Sequence, residues 1–215
     1  MDEKRYSCEH AVPIEQEPRH HLVIENEFVR AFAVEIAPHD RTLCHHHPHD
    51  YLLYVVGDGD IVSAARHEEP KKLSYCDGEC ELSPAGLVHV VENLRDTPFR
   101  NVVVELLPGV GSLRRGDDPK LIAGEANITE HFADARAAIF LLEMKGGSEV
   151  LISGPSVVAG TPHGTALDHH VPSCLTSFND FSHLAWFPSG CQGTLRGFEN
   201  PTESALVFQV GRTDK

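Results

Sequence analysis

The heptapeptide HHHPHDY, His45 to Tyr51, gathers four of the chain's 15 histidines. Neutral imidazole is a ligand for divalent transition metals, and several rings meeting at one point make a metal site. Side chains two apart on a strand share a face, so His45 and His47 can present their rings to one point. His89 lies further along, inside the apolar run LVHVV. Two strands of a barrel would then bring three imidazoles to one metal and leave positions open for a substrate. A His-rich tract is also commonly a solvated loop, and an H-x-H pair alone does not decide between the two.

The elements that must position these residues read as strands. Short apolar or alternating runs recur at Phe28 to Ile36, Tyr51 to Val56, Asp60 to Ala64, Leu87 to Val91 and Asn101 to Leu107. They continue at Ala137 to Met144, Val150 to Ile152, Leu184 to Phe187 and Ser204 to Val210. With 17 glycines and 14 prolines dividing them, they predict an all-β barrel or sandwich. Ile128, Phe132, Ala135, Ile139 and Leu142 fall at helical spacing, so a helix over Thr129 to Leu142 is the competing reading. A strand is preferred for its second half.

The segment PGVGSLRRGDDPKLIAGEAN, 108–127, is rich in Gly, Asp and basic residues and reads as a linker. The flanking halves look alike. FVRAFAVEIAPHDRT from Phe28 parallels DARAAIFLLEMKGGSEV from Asp134, and Pro84/Gly86 parallels Pro188/Gly190 ahead of a terminal apolar strand. An internal repeat of one β unit predicts two similar barrels, over 1–110 and 128–215.

Gly78, Pro84, Gly86, His89 and Asn93 stand at the spacings G-x5-P-x-G-x2-H-x3-N. His45 and His47, followed by the run Tyr51 to Gly57 or Gly59, supply an H-x-H element before a strand. In these two motifs the chain resembles the cupin superfamily and, with the repeat, a bicupin. The resemblance is good over about residues 20–110 and weak over 134–212. It implies jelly-roll-like β-barrels with a metal in the mouth of the first, held by His45, His47 and His89 and a fourth ligand. At that fourth position the chain departs from the family pattern. Counting back from Gly57 reaches Asp50, whereas the Tyr54-Val55 strand core or strict alternation reaches Tyr51. Tyr51 is preferred, as ligand or proton-transfer group, with water as the remaining occupant. Gly78 and Gly86 would adopt conformations that glycine favours, and Asn93 would fix a turn.

The second half lacks the set: Gly193 stands where His89 does, and LISGPSVVAG, 151–160, has no histidine. It is expected to be a metal-free scaffold barrel. His163, His169 and His170 read as a polar loop, Trp186 and Phe187 as core, and Arg114-Arg115 as a solvated pair.

A net charge of −14, from 18 Lys and Arg against 32 Asp and Glu, disfavours nucleic-acid and anionic-lipid partners. No apolar run is long enough to span a bilayer, and the first ten residues are too polar for an export signal. The six cysteines are therefore expected to be reduced thiols in a cytoplasm, with Cys44 a core thiol and only Cys76 and Cys80 close in sequence. The expected function is a metal-dependent enzyme of dioxygenase, isomerase or lyase type on a small oxygen-bearing molecule, with one divalent Fe, Mn, Ni or Zn ion. The alternatives are a non-catalytic small-molecule binding or sensing protein and a metal-free structural barrel. Barrel edges offer a route to homo-oligomers.

Overall fold

Alternating runs broken by glycine and proline fold as strands, and no α-helix occurs among the described residues. The structure, a computed structural model, describes residues 6, 8–160, 167–169, 184–190, 192–197 and 203–213. The first half contributes β1 (Val12–Pro13), β2 (His20–Glu25), β3 (Val29–Ile36), β4 (His45–His47) and β5 (Tyr51–Val56). It continues with β6 (Gly59–Ala65), β7 (Lys71–Tyr75), β8 (Cys80–Ser83), β9 (Leu87–Asn93) and β10 (Phe99–Leu106). The second half contributes β11 (Lys120–Ala123), β12 (Ala126–Ala133), β13 (Ala137–Met144), β14 (Glu149–Ser153) and β15 (Ser156–Gly160). After them come β16 (Leu167–His169), β17 (Leu184–Phe187), β18 (Gln192–Gly197) and β19 (Glu203–Val210).

Two sheets form in each half. The first half has the orders β1-β4-β9-β6-β7 and β2-β3-β10-β5-β8. The second has β11-β14-β18-β16 and β12-β13-β19-β15-β17, the same strand order with no partner for β7 among the described residues and with β11 antiparallel to β14 where β1 is parallel to β4. Resemblance in sequence is thus a repeat in topology. By contact the chain divides into one unit of residues 1–22 and 32–107 and another of residues 23–31 and 108–215.

Each interior is built by period-two alternation. Phe32, Val34 and Ile36 of β3 pack with Val55, Phe99 and Val103 in the first. Phe140, Leu142 and Met144 of β13 pack with Ile152, Phe187 and Leu195 in the second. Burying each large side chain contributes roughly 1.5–3 kcal/mol before conformational entropy is counted.

Two expectations are corrected, and the strand preferred over the competing helix is borne out at Ala137–Met144. The helical spacing after Ile128 is realised as a hairpin, β12 antiparallel to β13 with a bulge between Glu130 and Phe132. Its turn is set by Asp134, whose Oδ1 accepts from the amides of Arg136 and Ala137 at 2.7 and 2.9 Å. Pairing of β13 with β19 on its other side then outweighs local periodicity. The 108–127 stretch is not wholly a linker, because β11 pairs with β14.

The cysteines are not all reduced. Parallel pairing of β1 with β4 sets Val12 beside His45, and the Val12 amide donates to the Cys44 carbonyl at 2.9 Å. That brings Cys8 and Cys44 to a Cα separation of 5.3 Å, where they form a disulfide. Cys76 and Cys80 form no disulfide, and Cys174 and Cys191 lie outside the described residues. The disulfide removes the ground on which a cytoplasmic setting was expected; among the described residues no helix is long and apolar enough to cross a membrane.

Candidate metal centre

Antiparallel pairing of β4 with β9 places His45 directly opposite His89. The three histidines of the two motifs meet inside the first barrel: His89 Nε2 lies 3.1 Å from His45 Nε2 and 3.3 Å from His47 Nε2. A fourth, His20 at the start of β2, joins them. One ring nitrogen from each of His20, His45 and His47 lies within 4.8 Å of the others, and the His20 ring centroid is 4.6 Å from that of His45. All four residues are buried.

The outward ring nitrogens are held by neighbours. His20 Nδ1 is 2.8 Å from Glu17 Oε2, His45 Nδ1 is 3.0 Å from the Leu43 carbonyl, and His89 Nδ1 is 3.2 Å from Ser63 Oγ. Only His47 Nδ1 is buried without a partner. A carbonyl and a carboxylate can only accept, so His45 and His20 carry their protons on Nδ1 and turn the Nε2 lone pair inward. The Leu43 peptide serves both, since its amide also donates to Glu17 Oε1 at 3.1 Å.

Burial, reinforced by His20 alongside, pushes the His45 imidazole down to about 4. Burial likewise holds His47 and His89 far below the ordinary imidazole range, with neighbouring histidines adding to it. Burial alone would raise the Glu17 carboxyl. Hydrogen bonds from His20, Leu43 and Arg19 outweigh that and hold it at about 2, so it is a fixed negative charge behind His20.

These donors fit a metal ion. One His89 Nε2–H can serve one neighbouring lone pair, which leaves the rest facing each other without a proton. A divalent transition ion accepts all of them at once and favours imidazole nitrogen. Ligand histidines tethered by a carboxylate or backbone carbonyl at the remote nitrogen are the usual orientation for such sites.

Of the fourth-position candidates, Asp50 faces the Pro84–Gly86 turn, its Oδ1 accepting from the Ala85 amide at 2.8 Å. Tyr51 lies in the interior, its ring 4.3 Å from that of His47 and stacked at 25°. Burial pushes its phenol up to about 12 despite a hydrogen bond with Ser83. Gly78 and Gly86 adopt φ of 84° and 94°, and the Gly86 amide donates to the His47 carbonyl at 2.8 Å, tying the turn to the ligand strand. Asn93 fixes a turn: its Nδ2 donates to the carbonyls of Ile36, Ala37 and Thr97.

Sequence reasoning missed His20. It lies far from the H-x-H element, and the one local signal is the Glu17-x-x-His20 spacing that lets the carboxylate reach the ring.

At the equivalent strand pair of the second barrel the described residues bring hydrocarbon together instead. Pairing of β14 with β18 sets Ile152 opposite Gly193, the counterpart of His45 opposite His89. The Phe187 ring occupies the space a Cβ on Gly193 would need, and Phe187 and Ile152 are both fully buried. His169 lies on β16, while His163 and His170 fall outside the described residues.

No family model matches the chain, and no curated protein does. Solved structures do. A vicilin from Solanum melongena is 12% identical, with a TM-score of 0.63 over 86% of this chain and 76% of its own. A salicylate 1,2-dioxygenase from Pseudaminobacter salicylatoxidans is 11% identical, with a TM-score of 0.60 over 88% and 75%. A cupin 2 conserved barrel domain protein from Leptotrichia buccalis is 12% identical, with a TM-score of 0.54 over 89% and 88%.

Proposed function

Because this chain has the cupin fold, we propose that it is a metal-dependent enzyme acting on a small oxygen-bearing organic molecule, of dioxygenase, isomerase or lyase type. The observation that carries this reading is the convergence of four buried imidazoles, three of them with Nδ1 already engaged. His20, His45, His47 and His89 would hold one divalent iron, manganese, nickel or zinc ion. When bound, such an ion supplies a Lewis acid for an oxygen of the substrate.

The remaining work falls to the chain itself. Glu17 and the Leu43 carbonyl keep the His20 and His45 rings in one tautomer and orientation. Tyr51, protonated at neutral pH, can donate from its phenol oxygen and is the candidate proton-transfer group. Apolar side chains around the imidazoles keep water away from a bound substrate. Barrel edges remain the proposed route to homo-oligomers. The alternative of a binding or sensing protein without turnover draws on the same phenol, which at about 12 is a poor base.

Elemental analysis of protein purified without a histidine tag, beside the His89→Ala variant, tests the reading. One ion per chain is expected in the parent and none in the variant, with the β circular-dichroism spectrum kept. A parent that takes up no metal even on reconstitution sinks it.

A further inference from the structure

Beside the imidazoles the first barrel holds a partly open cavity of about 130 Å³, with His20, His47 and His89 in its wall. A cavity of about 150 Å³ holds a benzene molecule, so this one has room for about six non-hydrogen atoms. Its walls are largely apolar, from residues such as Val34, Ile36, Leu53, Ile61 and Phe99. No lysine or arginine lines it, and its one carboxylate, that of Glu81, belongs to an exposed residue.

The polar groups of the wall are mostly engaged. Ser63 Oγ is taken by His89, and Ser83 Oγ donates to Glu81 at 3.0 Å. Asn101 differs. It lies on β10 between Phe99 and Val103, which face the same interior, and is only 5% exposed. Its side-chain amide lines the cavity and hydrogen-bonds to no described residue.

A charged group placed against these walls would shed its water and find no counter-ion, at far greater cost than an alkyl or amide group. The Asn101 amide offers both a donor and an acceptor on this largely apolar wall, so a ligand that pairs with it gains a directed hydrogen bond there. We propose that the cavity selects a ligand with one oxygen-bearing head at the imidazoles and an uncharged, mainly apolar body hydrogen-bonded to Asn101. This rests on the metal-centre reading above.

Zinc-loaded protein, its zinc content measured on the same sample, is titrated with butanoate, succinate and the monoamide of succinate. Binding is followed in ¹H–¹⁵N spectra, where an Asn101→Leu variant identifies the Asn101 side-chain pair. Butanoate and the monoamide are expected to bind about tenfold or more tighter than succinate, which carries a second charge. The monoamide should shift the Asn101 pair, and Asn101→Leu should weaken it several-fold relative to butanoate. Asn101→Ser gives the same comparison if the leucine variant does not fold. Succinate binding as tightly as the others, a monoamide that leaves the Asn101 pair unmoved, or no binding by any of the three to zinc-loaded protein overturns the inference alone. A chain that takes up no zinc overturns it together with the metal centre.

Discussion

Glu17 and His20 share a hydrogen bond of 2.8 Å in which the carboxylate is fully buried. The pair sits outside both histidine motifs, yet it delivers an imidazole to the same point. A buried carboxylate behind a ligand histidine fixes the ring and raises its basicity, and losing such a partner typically costs 10- to 100-fold in metal affinity. Glu17→Gln should therefore weaken metal binding by about that factor in competition with a chelator, while the thermal midpoint of the metal-free protein shows that the fold survives. Unchanged affinity would remove His20 from the ligand set.

Tyr51→Phe separates packing from proton transfer. The variant keeps the ring stacked on His47 and loses only the phenol oxygen. Metal content should stay at the parent level, while turnover of an identified substrate falls by about 10²- to 10⁴-fold, the usual range for a lost acid–base group. Parent-level turnover would leave Tyr51 as a wall of the cavity.

Acid should destabilise the metal-free protein in a defined window. The unfolded His45 ring binds a proton as pH falls through about 6.5, whereas the folded one resists until about 4. Its contribution is thus complete above 6.5 and is lost between those values, at about 1.4 kcal/mol per pH unit, or about 3 kcal/mol in all. His47 and His89 shift in the same direction and deepen the loss. Glu17, held at about 2, adds its own decline only below the ordinary carboxylate range. Urea midpoints should be level above about pH 6.5 and fall steadily beneath it; a level profile down to about 4.5 would contradict neutral, buried rings.

The disulfide closes a loop of sequence separation 36 and ties the N-terminal segment to the strand that carries His45. Chain-entropy arguments give a crosslink of that span about 4 kcal/mol, an upper figure when the unfolded chain keeps structure. Cys8→Ser should lower the urea stability of the first barrel by up to about that amount, and reductant should act on the parent but not on the variant. A parent equally stable with and without reductant would show that the bond does not form in solution.

Features that depend on local alternation were legible in the sequence. Strand character and the shared face of His45 and His47 follow from period two, and the φ values of Gly78 and Gly86 follow from a turn that only glycine enters easily. What escaped depends on pairing between distant strands. His20 reaches the site because β2 is folded against the rest of the barrel, and Cys8 meets Cys44 because β1 runs parallel to β4. Neither leaves a periodic trace. The helical spacing around Phe132 was a competing signal for the converse reason: hairpin pairing on one side and β19 on the other decide the conformation there.

Phe187 beside Gly193 gives the two barrels opposite interiors on one strand order. At that point one copy keeps hollow, nitrogen-rich space, and the described residues of the other fill it with hydrocarbon. Among the described residues, a single polypeptide thereby sets imidazole and hydrocarbon at corresponding strand pairs, so each half is an internal comparison for the side chains of the other.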